Sequence, residues 1–109
     1  MLRELSARHR SWPLAAPFRI SRGVKRSAEV VVVEIGEDGA CGRGESVPYA
    51  RYGETVESVL AQVEGARQAI AQGASREQLA GLLPAGAARN AVDCALWDLE
   101  AQLAGSSVW

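Results

Sequence analysis

The stretch Ala87–Gly105, AARNAVDCALWDLEAQLAG, decides how the rest of the chain must be arranged. Its apolar residues Ala88, Ala91, Val92, Ala95, Leu96, Leu99 and Leu103 recur at spacings of three and four. That places them on one face of a 3.6-period helix. Three of the seven are alanine, and side chains this small let a neighbouring helix or strand come close. The helix is therefore expected in the interior, with only a narrow polar edge. Arg89 and Asp93 stand four apart on that edge and are expected to pair, for about 0.2–0.5 kcal/mol. Pro84 and Gly86 punctuate the start and Gly105 the stop. Ser106-Ser107-Val108-Trp109 then reads as the first residues of a new strand. The chain is expected to be part of a longer protein, with one domain over 1–105 and the next element beginning at 106–109.

Two more helices precede this one. Ser75-Arg76-Glu77-Gln78 has the Ser-x-x-Gln form of a capping box and opens a short helix through Leu79, Leu82 and Leu83, stopped by Pro84. Before it, Val56, Val59, Leu60, Val63, Ala66 and Ile70 share a face of an amphipathic helix over Thr55–Gln72. Thr55 is its expected N-cap and Gly73 its stop.

The N-terminal part reads as strands. Ala28–Ile35, AEVVVVEI, holds four consecutive valines, a pattern of burial on both faces that marks a central strand. Glu37-Asp38-Gly39 is a hairpin turn signal. Ala40–Ser46, ACGRGES, returns as a third strand, where Gly42 and Gly44 mark a bulge or a close backbone approach. Met1–Leu14 alternates Leu5, Ala7 and His9 against polar residues and reads as a first strand. Trp12-Pro13 is expected to end it, because proline removes a ladder donor and restricts the residue before it. Two irregular segments remain, Ala15–Ser27 and Val47–Gly53. Three antiparallel strands followed by three helices is an α+β domain, its helices packed on one face of a meander.

Charge is unevenly spread. Of 12 Lys and Arg, seven fall within residues 1–26 against a single acid, Glu4, although the net charge is −1. The preferred reading is a solvated strand face; the sharper one is an anion-facing segment. No recognition helix or aromatic basic stripe accompanies the charge, so nucleic acid is not an expected partner. No apolar run is long enough for a membrane span and no signal-peptide core is present. The two cysteines, Cys41 and Cys94, make no disulfide framework, and Cys94 is expected to pack as a small hydrophobe. A cytoplasmic setting is expected.

No catalytic group emerges from the residues alone. His9 is the only histidine and is read as a surface residue, so no Ser-His-Asp or Cys-His set can be assembled. No zinc spacing occurs. Asp93, Asp98 and Glu100 share a helix, but Asp93 and Asp98, five apart, project about 140° apart and cannot share an ion. Gly39, Gly42 and Gly44 lack the order of a dinucleotide fingerprint, and no Gly-Lys-Ser/Thr occurs.

A resemblance carries the reading further. Ala91–Leu99, AVDCALWDL, together with Val30–Glu34 and Gly42–Glu45, resembles the N-terminal capping domain of the enolase superfamily, muconate-lactonizing subgroup. Pro17–Gly23 (PFRISRG), Pro48–Glu54 (PYARYGE) and Leu83–Asn90 (LPAGAARN) more narrowly resemble the dipeptide epimerases that act on L-Ala-D/L-Glu. The likeness covers essentially the whole chain. It implies a parent enzyme in which this cap precedes a modified (β/α)-barrel. The implied reaction is abstraction of the proton α to a carboxylate through an enediolate, with Mg²⁺ as cofactor and two barrel lysines as acid and base. The barrel would hold the metal and the catalytic groups, so neither metal ligands nor catalytic residues are expected on this chain. Its single lysine, Lys25, cannot form a pair, and the chain alone is expected to be inactive.

In that family two cap loops close over the barrel mouth and touch the distal part of the substrate. The two irregular segments match them. By resemblance Arg22 and Lys25 offer cations to a distal carboxylate, Lys25 first. Phe18, Arg51 and Tyr52 form a wall over the alanine end. The implied partners are the parent's own C-terminal barrel and a small dipeptide; homo-oligomerisation of the full-length enzyme is left open. Other substrates of the subgroup (muconate, o-succinylbenzoate, N-acylamino acids) and a free-standing binding module are the competing readings.

Overall fold

The computed structural model describes the backbone of residues 3–20, 23–49 and 53–105, and the side chains of these apart from 12–28. Strands β1 (Glu4–Ile20), β2 (Gly23–Glu37) and β3 (Ala40–Ser46) precede helices α1 (Val56–Ala71), α2 (Arg76–Leu82) and α3 (Ala87–Leu103). The sheet is antiparallel in the order β1-β2-β3. The expected α+β order of three strands and then three helices is the observed one.

The valine run of β2 is central, as its composition predicts. Val31, Val33 and Ile35 face the helices and join the core with Val59, Val63 and Ile70 of α1 and Val92, Leu96 and Leu99 of α3. Val32 points to the other face between its cross-strand partners Arg8 and Glu45 and is also fully buried. The β2–β3 turn places Asp38 and Gly39 at positive φ, 52° and 82°, the conformation its Asp-Gly favours.

α3 lies directly on β3, and glycine makes that possible. A Cβ at Gly42 would sit 2.6 Å from the Leu99 nitrogen and drive into the Ala95 carbonyl. One at Gly44 would sit 2.8 Å from the Ala95 nitrogen and drive into the Ala91 carbonyl. The alanines of α3 and the glycines of β3 are thus two halves of one close approach. Side chains from α3 also occupy the outer edge of β3. Gln102 accepts from the Cys41 N–H at 3.2 Å and donates to its carbonyl at 2.6 Å; Asp98 accepts from the Arg43 N–H at 2.9 Å. A bare strand edge is an invitation to pair with another chain, and these residues cover part of it.

The predicted caps form. Thr55 and Ser58 make a reciprocal capping box at α1, and Ser75 and Gln78 another at α2. The basic N-terminus is a paired face rather than a free one where it is described. Arg3 meets Glu37 at 2.7 Å, and Arg8 meets Glu34 at 3.1 Å.

Several local expectations are corrected. β1 does not end at Trp12-Pro13 but runs to Ile20, and β2 begins at Gly23 rather than Ala28. Ala15–Ser27 is therefore a long hairpin, not a loop. The prolines fit because β1 is an edge strand and its ladder changes register between Pro13 and Phe18. There β1 has four residues, 14–17, where β2 has one, Arg26. Asp93 pairs not with Arg89 but with Arg76, which reaches it from α2 through two hydrogen bonds of 2.7 and 3.1 Å. The planar Arg76 guanidinium also lies 4.2 Å from the Trp97 ring centroid, and the bond from Asp93 holds it more firmly charged. Cys94 is exposed, because α3 buries the arc through Ala88, Ala91, Ala95 and Leu99 and Cys94 lies off it. Leu103 is 43% exposed, one turn past the end of the packed region. The polar edge of α3 is accordingly broad, not narrow, with Asn90, Cys94, Trp97 and Glu100 open.

Candidate functional site

One end of the sheet gathers the segments that the sequence singles out. β3 ends at Ser46, opposite Val31, and from there residues 47–53 lead to α1. At the same end the β1–β2 hairpin continues past Val31, with β2 residues 23–30 paired to β1 alone. Eight residues of strand reach about 26 Å, so the hairpin projects well past the end of β3. α3 runs antiparallel to β3, with its N-terminus beside Ser46: the Ser46 hydroxyl donates to the Ala87 carbonyl at 2.7 Å.

Within this end, Phe18 and Lys25 are direct ladder partners. The structure therefore brings these two sequence-predicted residues together across the hairpin backbone. Arg22, Arg51 and Tyr52 lie outside the described residues.

Two features escape sequence reading. Glu29, opposite Ser11 in the ladder, accepts from the Ser11 hydroxyl at 2.6 Å and meets His9 Nε2 at 2.7 Å. His9 is 42% exposed, so it is the surface residue its context predicts, now with an acidic partner. The second is Glu54. One carboxylate oxygen accepts from the Tyr49 N–H at 2.8 Å and the other from the Ala87 N–H at 2.9 Å. The only local hint of this role is an acid directly before the Thr55 cap.

No three His, Cys, Asp or Glu side chains among the described residues are grouped so as to hold a metal. Asp93 and Asp98, the carboxylates that a metal reading would recruit, are engaged by Arg76 and the Arg43 amide. One groove of about 390 Å³ lies between α2 and α3, lined by Arg76, Arg89 and Asp93 among others. No residue of the β1–β2 hairpin lines it, and its only lining residue at the α3 N-cap is Gly86. Among the described residues no helix is long and apolar enough to cross a membrane.

Known proteins give this arrangement a context. The family described as mandelate racemase / muconate lactonizing enzyme, N-terminal domain, matches residues 2–109. L-Ala-D/L-Glu epimerase of Escherichia coli (strain K12) is 50% identical over 101 residues, covering 93% of this chain and 32% of its own length. Among solved structures, an enolase family member from Agrobacterium tumefaciens with homology to dipeptide epimerases was determined with bound sodium and L-Ala-L-Glu and an ordered loop. It superposes with a TM-score of 0.92 at 45% identity, over 97% of this chain and 32% of that one. The dipeptide epimerase from Methylococcus capsulatus, complexed with Mg and L-Arg-D-Lys, gives 0.80 at 34% identity over 96% and 33%. The chain spans about a third of the length of these relatives.

Proposed function

Because the chain belongs to the N-terminal domain family of mandelate racemase and muconate lactonizing enzymes of the enolase superfamily, we propose that it is the specificity-determining cap of a dipeptide epimerase acting on L-Ala-D/L-Glu. The observation that carries this reading is the 50% identity to such an epimerase across nearly the whole chain. The parent would invert the centre α to a carboxylate by removing that proton and returning one from the opposite face. This chain's described residues do not fit a metal site, and it has one lysine. By resemblance, Mg²⁺ and the acid–base pair would belong to the part of such a parent that this chain does not span. The cap alone turns nothing over. Turnover of cell-wall peptides in the cytoplasm is the setting that suits an Ala-Glu dipeptide.

The projecting hairpin and the 47–53 segment are where this cap meets substrate. Lys25 or Arg22 binds the side-chain carboxylate of the glutamate residue. Phe18, Arg51 and Tyr52 cover the alanine end, excluding water. The end of the sheet from which both segments emerge supports the assignment.

The test is solvent-deuterium exchange at the α-carbon, run with the full-length parent and Mg²⁺. Rapid exchange into L-Ala-L-Glu, with little turnover of muconate, o-succinylbenzoate precursor or N-acylamino acids, is expected. Preference for any of these three would replace the substrate and keep the family.

A further inference from the structure

We infer that Glu54 is a positioning residue that fastens Tyr49 to the N-terminus of α3. Through that anchor it sets substrate affinity, an inference that rests on the cap reading above.

The geometry is that of a staple. Tyr49 and Glu54 bond each other twice: the Tyr49 N–H donates to Glu54 Oε1 at 2.8 Å, and the Glu54 N–H donates to the Tyr49 carbonyl at 3.2 Å. Tyr49 and Glu54 are thus tied to each other in both directions. The second carboxylate oxygen accepts from the Ala87 N–H at 2.9 Å. Ala87 opens a 17-residue helix whose N-cap, Gly86, offers no side-chain cap. A helix N-terminus leaves amide donors unsatisfied and favours an anion, and Glu54 supplies both acceptor and charge from another element.

Gly86 is fitted to this contact. Its φ is 154°, and a Cβ there would lie 2.6 Å from Glu54 Oε2. Ala87 itself is buried and is gripped from its other side by the Ser46 hydroxyl, at the end of β3. Both oxygens of one half-buried carboxylate therefore link Tyr49 to a buried residue of the helix that Ser46 also holds. Thr55, the next residue, caps α1. Glu54 and Thr55 thus serve two helix N-termini in succession. Charge-assisted bonds of this kind are about twice as strong as neutral ones, and they act here on backbone rather than on side chains.

The experiment uses the full-length parent, with Glu54→Ala, Glu54→Gln and, as a control, Ser46→Ala. The Ser46→Ala variant loosens the grip on Ala87 without touching Tyr49. Amide hydrogen exchange at Tyr49 and Ala87 is read alongside KM and kcat for L-Ala-L-Glu. Glu54→Ala should speed exchange at both amides by about tenfold and raise KM by about fivefold, leaving kcat within about twofold. Ser46→Ala should leave the Tyr49 amide and KM unchanged. Exchange rising at Ala87 alone would make Glu54 a helix cap only and overturn the inference, as would an equal KM rise in Ser46→Ala. If Glu54→Ala does not fold, Glu54→Gln keeps the length and one acceptor. It should still deprotect at least one amide and raise KM, and wild-type values in both would overturn the inference. A parent inactive on every dipeptide would sink the cap reading, while the two exchange rates would still decide whether Glu54 couples Tyr49 to α3.

Discussion

From Val31 to Glu37, β2 has a strand on each side and helices over one face; from Gly23 to Val30 it has β1 alone. The covered half is made of valine, alanine and glycine packed to the limit of backbone approach. The projecting half carries Pro13, Pro17, five cations and a ladder that changes register. A two-stranded ribbon by itself is marginally stable, so the projecting half depends on the covered one for its base. On the proposed function, stability would fall to the covered end of the strand and recognition to the projecting one, which would let the recognising end vary without endangering the core.

The sharpest way to break this division is Gly44→Ala. The added methyl meets the backbone of Ala91 and Ala95, which no rotamer change relieves. It should cost about 3 kcal/mol or more, read as a lowered urea midpoint. Tolerance of this alanine would mean that α3 is not tied to β3. Next, Thr55→Ala removes the α1 cap at the exit of the 47–53 segment. It should cost about 1 kcal/mol in the same titration, and loss of stability without loss of affinity would separate the cap from the site. Smaller still, Arg76→Ala loses a partly exposed ion pair and a ring contact. It should cost about 0.5–1 kcal/mol, with the larger share at low salt.

The covered half was legible because its signals are local and periodic. The faces of α1 and α3, the boxes at Thr55 and Ser75 and the stop at Gly105 each depend on residues within a turn of one another. Gly42 and Gly44 announced a close approach, and the helix they receive is the alanine-rich one. What could not be read was set by neighbours distant in sequence. Asp93 chose Arg76, 17 residues away, over Arg89, four away, because α2 delivers a guanidinium in bidentate register. Glu54 and Ala87 meet across 33 residues. The prolines of β1 suggested an end to the strand, but an edge position tolerates a missing donor. Of the candidate site, Phe18 and Lys25 are placed opposite each other, on strands rather than in the irregular loop their composition suggested. Their surroundings depend on chain that no local pattern specifies.

The central claim is that the projecting hairpin reads the distal carboxylate. Lys25→Ala in the full-length parent tests it most directly, with kcat/KM measured for Ala-Glu and for an uncharged dipeptide, beside the unfolding midpoint. A charged hydrogen bond of about 1.5–3 kcal/mol predicts a loss of about 10–150-fold for Ala-Glu. The uncharged dipeptide and the midpoint should be unchanged. Equal loss on both dipeptides, or a midpoint that falls with activity, would contradict it.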